Sequence, residues 1–315
     1  MHFFILLDIY LNGEHMLTLS FLFDNYGLYP NDLVENSFII DDKLYKIEEV
    51  QGYSEDDFIS LYNYSLELKK LFNNTFELIK NRKNNYLTNY ANKSYVLIST
   101  PIYKVSLQDI IKYNRYFYNK DNRVYSISQM INVWLERYNN IQKDCFNSLS
   151  NDDINYNNIY IAVSFSFGLA ENALSYLADA KIDYGDEIER LTLTHIRLNL
   201  LDSYSFFNPL NVIYDSVIRD YAELYKFELI DIHDLNKIID ELHITQKEAS
   251  LLMARILYPT RVFDLLEDNY LSKEHKYNKT IEYLNCLDKE LQRIKNAHRL
   301  LVKKYNIRPI SWLLK

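Results

Sequence analysis

The spacing of hydrophobic residues predicts strands in the first hundred residues of the chain and helices in the remainder. Residues 37–40 and 43–50 are two runs rich in β-prone residues, and only Asp41 and Asp42 separate them. A two-residue acidic connection between such runs is typical of a tight hairpin, since aspartate tolerates turn conformations. The pattern therefore predicts an antiparallel hairpin at residues 37–50.

Three further features complete the expected N-terminal part. Ser54 begins a predicted helix whose apolar residues recur at helical spacing as far as Leu68. Residues 73–92 are polar and rich in asparagine, and we expect two short strands or a loop there. Residues 95–99 are an apolar run that ends before Pro101, as expected for a buried strand.

From Ser106 onward the pattern is helical. Capping signals and periodicity predict helices after Ser126, over 165–177, from Thr245 to residue 257, and from about 272 to 305. The sequence thus predicts an α+β protein. We place an N-terminal lobe of antiparallel strands and a helix at 1–105, and a mostly α-helical C-terminal lobe at 106–315.

Composition excludes several classes of protein. The chain has 315 residues, 48% of them hydrophobic and 25% charged, so it can bury a large core. Its 5 glycines argue against Rossmann and Walker phosphate loops. A net charge of -8 gives no electrostatic reason to expect nucleic acid as a partner. The 29 tyrosines and abundant asparagines are typical of an AT-rich, low-GC bacterial genome.

We expect neither a targeting signal nor a membrane span. The apolar run at residues 2–7 stops at Asp8, far short of the roughly 20 residues that a spanning helix needs. Two cysteines, Cys145 and Cys286, cannot form a disulfide scaffold, which favours a reducing compartment. We therefore expect a cytoplasmic protein.

Most familiar catalytic motifs are missing. No histidine pair has the H-x-x-x-H spacing of a helix-borne zinc site, and no G-x-S-x-G elbow occurs. Polar residues do concentrate in the apolar segment 193–223. They could simply satisfy the backbone of a buried loop, or they could form a site.

The polar residues of this segment resemble the catalytic loop of the aminoglycoside-phosphotransferase-like and choline-kinase-like kinases. His195 to Arg197 stands where that family has H-x-D, and Asn211 follows a proline as the family's metal-binding asparagine does. Asp215 is similar to the metal-binding aspartate, and Asp220 to a later structural aspartate. The resemblance implies that Asn211 and Asp215 would hold the metal ion of an active enzyme.

The resemblance spans roughly residues 25–315, and its nearest branch is the bacterial spore-coat-associated one. Segments 168–173, 254–260 and 310–313 are similar to members of that branch. The resemblance implies a two-lobed protein-kinase-like fold with a small β-containing N-lobe and a large α-helical C-lobe. Lys46 would then be the lysine that pairs with nucleotide phosphates, with Glu67 as its partner.

The departures from the family concern catalysis. Arg197 replaces the aspartate that orients the substrate hydroxyl, and a guanidinium cannot accept a proton. Asn211 lies 16 residues after His195 and only 4 before Asp215, which is unlike the family's loop. The predicted hairpin also lacks a glycine that could cover phosphates.

We therefore expect a non-catalytic pseudokinase that acts through a protein partner, requires no cofactor, and is related to the spore coat or envelope. One alternative is a divergent small-molecule phosphotransferase that uses ATP and Mg²⁺ with Asp215 or Asp202. A second is an unrelated α-helical interaction protein. The sequence leaves the substrate, the partner and the oligomeric state open.

Overall fold

The structure is a computed structural model, and it describes residues 17–119, 124–148, 156–271, 282–283 and 285–314. The chain divides into two compact units. The first contains the residues up to Lys112 together with Leu201–Val212, and the second contains Tyr113–Leu200 and the residues from Ile213 onward. The hydrophobic pattern predicts one boundary near residue 105 and gives no sign that residues 201–212 return to the first unit.

The elements before residue 120 are α1 (Leu19–Tyr26), β1 (Ser37–Ile40), β2 (Lys43–Val50), α2 (Glu55–Lys69), β3 (Glu77–Ile79), β4 (Thr88–Tyr90), β5 (Lys93–Pro101) and α3 (Leu107–Phe117). Those after it are α4 (Ile127–Ser148), α5 (Tyr156–Tyr184), β6 (Leu191–His195), α6 (Ser203–Phe207), a 3₁₀ turn (Pro209–Asn211), β7 (Val212–Ser216), α7 (Arg219–Lys226), α8 (Ile232–Glu241), α9 (Gln246–Leu257), α10 (Thr260–Leu271), α11 (Leu287–Tyr305) and a 3₁₀ turn (Ser311–Leu313).

The first unit contains an antiparallel sheet in the order β1-β2-β5-β3, with β4 also paired to β5. The predicted hairpin is confirmed, as are the two short strands in the asparagine-rich stretch. Asp41 and Asp42 connect β1 to β2 at φ 49° and 59°, and Ala91 and Asn92 connect β4 to β5 at 48° and 63°. Two consecutive left-handed residues are typical of type I′ hairpin turns, so these tight turns form without glycine.

The two faces of this sheet carry different side chains, apolar on one and charged on the other at Lys46 and Glu48. One face packs against α1 in a buried cluster that includes Phe21, Ile47 and Leu97. Side chains alternate along a strand, so Lys46 and Glu48 on either side of Ile47 face the opposite side. The register of β2 thereby decides which face carries Lys46.

The second unit is built around α9. This helix packs against α5, α7 and α11, and α5 also packs against α4. The capping boxes predicted at Ser54 and Thr245 are confirmed, and Ser126 and Gln129 exchange the predicted pair of hydrogen bonds at the start of α4. Every residue of α9 from Glu248 to Leu257 is buried, which explains its continuous apolar character.

The prediction of one continuous C-terminal helix from about residue 272 to 305 is wrong, because a turn interrupts it. The chain turns at Asn285 and Cys286, where amide groups donate to the carbonyls of Glu282 and Tyr283, and α11 begins only at Leu287. The stretch 272–281 lies outside the described residues, as do the apolar run 2–7 and the side chain of Cys145.

One helical segment, Ile159–Tyr184 within α5, has the length and composition that a membrane span requires. Its mean hydropathy is 1.2 over the most apolar window, and half of that window is buried inside the protein. This is weak evidence for a span, because the core helix of a globular domain passes the same test. The contacts of α5 with α4 and α9 account for its apolar side chains.

Candidate functional site

The second unit holds His195 and Asp215 on two neighbouring strands. β6 ends at His195, Asp215 is the penultimate residue of β7, and the two strands form a small sheet of their own. Thr194 Oγ1 donates to the carbonyl oxygen of Ile213 at 3.1 Å, which fixes the strands at this end. The 16-residue separation of His195 and Asn211 therefore leaves the strand pair intact.

Asp220, at the start of α7, holds His195 in place. Its carboxylate accepts hydrogen bonds from the backbone N–H of His195 at 2.8 Å and from Asn114 Nδ2 at 3.2 Å. The third contact of the Asp220 carboxylate, at 3.0 Å, is with His195 Nδ1, which must donate because a carboxylate only accepts. Both side chains are fully buried. This pair orders the loop around His195, as the resemblance implies for the later aspartate.

Asp215 is enclosed by two arginines. Arg255 Nη2 donates to Asp215 Oδ1 and Arg219 Nη1 donates to Oδ2, each at 2.6 Å. The backbone N–H of Ser216 adds a third hydrogen bond to Oδ1. The side chain of Asp215 is only 1% exposed. Burial acts to raise the pKa of Asp215, but the two guanidinium groups outweigh it and lower that pKa below its ordinary value.

Arg219 also joins Asp215 to the His195 loop. Its Nε donates to the carbonyl oxygen of His195 at 2.8 Å, and its Nη2 donates to that of Ile196 at 3.1 Å. One guanidinium thus binds the aspartate and two backbone carbonyls. The structure brings His195 and Asp215 together through this arginine.

Arg197, in the position of the family's catalytic aspartate, forms a bidentate ion pair. Its Nε and Nη2 donate to Asp264 at 2.8 and 2.7 Å. Arg137 also donates to Asp264, at 2.6 Å, and binds Glu267 through two further hydrogen bonds. Burial acts to raise the pKa of Asp264, yet the two arginines hold it below the ordinary value. The side chain at the base position therefore belongs to a charge network.

In the first unit, Lys46 is engaged by Glu48 and Tyr204. Lys46 Nζ lies 3.1 Å from Glu48 Oε1 and 4.9 Å from the centre of the Tyr204 ring. The Tyr204 hydroxyl donates to the same Glu48 oxygen, and burial together with this carboxylate raises the pKa of Tyr204 well above 10. Tyr204 lies in residues 201–212, the later segment of the chain that belongs to this unit. The Glu48 carboxylate and the Tyr204 ring therefore both contact the ammonium group of Lys46.

The remaining candidates have local partners. Asn211 Nδ2 donates to the Ser205 carbonyl at 3.1 Å within the first unit, whereas Asp215 belongs to the second. Asp202 caps α6, since its carboxylate accepts from the backbone N–H and the hydroxyl of Ser205 at 2.8 and 2.9 Å. Glu67 forms its ion pair with Lys70, whereas Lys46 forms its own with Glu48.

Across the described ranges, no cluster of three or more His, Cys, Asp or Glu residues could hold a metal ion. The sequence motifs do not predict Arg219, Arg255, Glu48 or Tyr204 as parts of a site. A signal existed for Arg219, which follows Asp215 by four residues, and Arg255 lies in the 254–260 segment that carries the resemblance.

The chain matches the family model described as "Spore coat putative kinase YutH" over residues 20–303. No curated protein sequence matches the chain significantly. The matched region includes every site residue discussed above.

Two solved structures share the fold. Spectinomycin phosphotransferase APH(9)-Ia, in complex with ADP and spectinomycin, aligns with a TM-score of 0.58 and 11% identity over 90% of this chain and 97% of that one. An aminoglycoside phosphotransferase from Alicyclobacillus acidocaldarius aligns with a TM-score of 0.54 and 8% identity, over 85% and 90%. These likenesses confirm the predicted kinase-like α+β fold and exclude the alternative of an unrelated helical protein.

Proposed function

The chain belongs to the YutH family of kinase-like spore coat proteins, and we propose that it keeps the kinase fold without phosphoryl transfer and acts by binding another protein. The observation that carries this proposal is the enclosure of Asp215 by Arg219 and Arg255. In kinases, the aspartate at this point of the chain holds the Mg²⁺ ion that bridges the nucleotide phosphates.

A magnesium ion would have to displace both arginines from Asp215. Mg²⁺ binds carboxylate oxygens at about 2.0–2.1 Å, in an octahedral shell that brings several waters with it. Both oxygens of Asp215 are already paired with buried guanidinium groups. Releasing them would leave two buried positive charges without their partner, and each such charge costs several kcal/mol. The residues present therefore do not suit a metal–nucleotide complex.

The other two positions agree with this proposal. Arg197 cannot act as a base at any working pH, and its guanidinium is paired with Asp264. Lys46 already has a carboxylate partner in Glu48 and an aromatic partner in Tyr204. A nucleotide phosphate would have to compete with both.

We expect ATP and Mg²⁺, added together, to leave the melting temperature of the protein unchanged. A ligand present at 100 times its Kd stabilises the folded state by about 2.7 kcal/mol, so even weak binding is measurable at millimolar nucleotide. The measurement is thermal unfolding with ATP alone, with Mg²⁺ alone and with both. An active phosphotransferase of the same fold serves as the positive control.

An increase in melting temperature that requires both ATP and Mg²⁺ and is lost in Lys46→Met would contradict this proposal and favour the divergent phosphotransferase. Lys46→Met provides the decisive variant, because Lys46 is partly exposed and its loss should leave the fold intact. If the increase disappears in Lys46→Met, the nucleotide binds at the kinase position. If it persists, the nucleotide binds elsewhere and the proposal about the kinase site survives.

We further propose that the protein is made in the cytoplasm and associates with the spore coat, which the family description supports. A tagged copy expressed in a spore-forming bacterium should be recovered in coat extracts of purified spores. Recovery only in the soluble fraction of lysed cells would contradict the association. A cytoplasmic protein carrying the same tag is the matched control.

A further inference from the structure

The end of β5 and the residues after it pair with a segment from much later in the chain. The backbone N–H of Val105 donates to the carbonyl of Leu201 at 3.0 Å, and that of Ser203 donates to the carbonyl of Tyr103 at 3.1 Å. The Ser203 hydroxyl donates to the carbonyl of Pro101. The backbone edge that follows β5 is therefore occupied by another part of the same unit.

Helix α6 continues this segment over one face of the sheet. It packs against β5, and its Phe206 and Phe207 are fully buried. Both rings meet the Phe72 ring edge-on, at 5.8 and 5.4 Å between centres. The Tyr204 ring of the same helix lies 4.9 Å from Lys46 Nζ. The segment thus covers the strand edge and also reaches the face that carries Lys46.

This face keeps one buried polar group without a partner. Thr100 pairs with Leu44 in the register of β5 with β2, two residues from the pair of Ile98 with Lys46, so Thr100 lies on the Lys46 face. The Thr100 side chain is fully buried, and its hydroxyl has no hydrogen-bond partner among the described residues. Such a group costs free energy, which a ligand with a suitably placed polar atom would recover.

The covered groups are of the kind that bind a nucleotide. Neighbouring backbone N–H and C=O groups suit a base, and an ammonium group suits a phosphate. We propose that residues 201–207 form an autoinhibitory strap, which occupies this part of the unit in place of a nucleotide, and that ATP binds without a metal ion once the strap is displaced. This inference rests on the proposed function, in which Lys46 marks the nucleotide position and Asp215 holds no Mg²⁺.

Tyr204 alone does not close the site. The Lys46 side chain remains 34% exposed, so a phosphate could reach it from the open side. The hydrogen bonds of Ser203 to the backbone after β5 exclude a base instead. Displacing the strap must therefore release both Ser203 and Tyr204, and the test changes both residues.

Two substitutions open the strap and keep its helix. Ser203 is the first residue of α6, and Asp202 before it caps the helix in an extended conformation, with φ −110° and ψ 160°. Proline is favoured at the first helical position and requires an extended residue before it. Ser203→Pro therefore removes both donors of residue 203, and Tyr204→Ala removes the ring. In the matched control, Ser203→Ala with Tyr204→Phe, the backbone donor and the ring remain.

Titration calorimetry with ATP in the presence of EDTA measures the effect. We expect Ser203→Pro with Tyr204→Ala to bind ATP at least about tenfold more tightly than the wild type, because a site open in fewer than about a tenth of the molecules gains that factor when the closed state is removed. The control variant should bind no more tightly than the wild type. Adding Lys46→Met to the opened variant should abolish the gain.

Hydrogen exchange in the wild type tests the strap without any substitution. The amides of Ser203 and Val105 donate to carbonyls across the pairing. Both should exchange at least about a hundredfold more slowly than in an unfolded chain. Exchange at the unfolded rate would overturn the proposal, whether or not the opened variant folds.

The outcomes separate this inference from the proposed function. The strap alone is overturned by a folded opened variant that gains no ATP binding, or by a gain that survives Lys46→Met. An equal gain in the control variant would also overturn it, because that variant keeps the ring and the backbone donor. ATP binding by the wild type that requires Mg²⁺ and is lost in Lys46→Met would contradict both proposals.

Discussion

Replacing Asp215 by asparagine is expected to lower the free energy of unfolding by about 3–5 kcal/mol, the cost of removing one partner from a buried ion pair. The substitution keeps the shape of the side chain but leaves Arg219 and Arg255 without their shared negative charge. Urea unfolding followed by circular dichroism measures the change. A loss below about 1 kcal/mol, the range of exposed pairs, would contradict the enclosed geometry of Asp215.

The loss of stability in Asp215→Asn should become smaller at acidic pH. The pKa of Asp215 is lowered in the folded protein, whereas an aspartate in an unfolded chain has a pKa of about 4. A lowered folded pKa contributes stability above the unfolded value, and this contribution is lost as the pH falls through the folded value. The difference between wild type and Asp215→Asn should therefore be constant from about pH 6 to 8 and shrink below about pH 4.

A double variant separates the free energy of the Asp215–Arg255 ion pair from other effects of the Asp215 substitution. Arg255→Met, combined with Asp215→Asn, removes one of the two uncompensated charges. We expect the double variant to be more stable than the sum of the single losses predicts, by roughly 1–3 kcal/mol, because the two residues are in contact. Strict additivity would show that Asp215 and Arg255 are not coupled.

Replacing Asp220 by alanine is expected to cost about 3 kcal/mol, because three buried donors lose their acceptor at once. These donors are the backbone N–H and Nδ1 of His195 and Nδ2 of Asn114. Each buried donor left without an acceptor costs about 1–3 kcal/mol, although part is recovered by local rearrangement. Urea unfolding again provides the measurement.

Two controls make the Asp220 experiment specific. Asp220→Asn keeps one carbonyl oxygen as an acceptor and should lose clearly less stability than Asp220→Ala. Glu189→Ala removes an acid of the same unit whose side chain is 71% exposed, and it should change stability by less than about 0.5 kcal/mol. Equal losses for Asp220→Ala and Glu189→Ala would mean that Asp220 does not hold the His195 loop.

The fold was largely predictable because its signals are local. The β1–β2 hairpin and the caps of α2 and α9 follow from neighbouring residues, and the structure confirms them. The start of α11 was not predictable, because hydrophobic spacing continues through the turn at Asn285 and Cys286. The return of residues 201–212 to the first unit depends on contacts between residues far apart in the sequence, such as Ser203 with Tyr103.

The sequence indicates candidate positions for the site, but it does not predict which partners these side chains bind. The resemblance pointed to His195, Arg197 and Asp215, and the missing base at Arg197 could be read directly from the sequence. The sequence does not show that Arg197 pairs with Asp264, which lies 67 residues further along the chain. The motif segments are structural as well. Asn172 accepts a hydrogen bond from the Trp312 indole, which joins two of the segments that carried the resemblance.

The enclosure of Asp215 by two arginines also has a consequence for descent within the family. For Asp215 to bind a metal ion through both oxygens, Arg219 and Arg255 would have to be lost. Losing both at once would leave Asp215 as an unpaired buried anion, and losing one leaves the other still bound to the carboxylate. Arg219 additionally holds the carbonyls of His195 and Ile196, so its loss also disturbs the loop. Each single substitution of Arg219 or Arg255 lowers stability before any metal can bind. We therefore expect selection for stability to keep the two arginines in place.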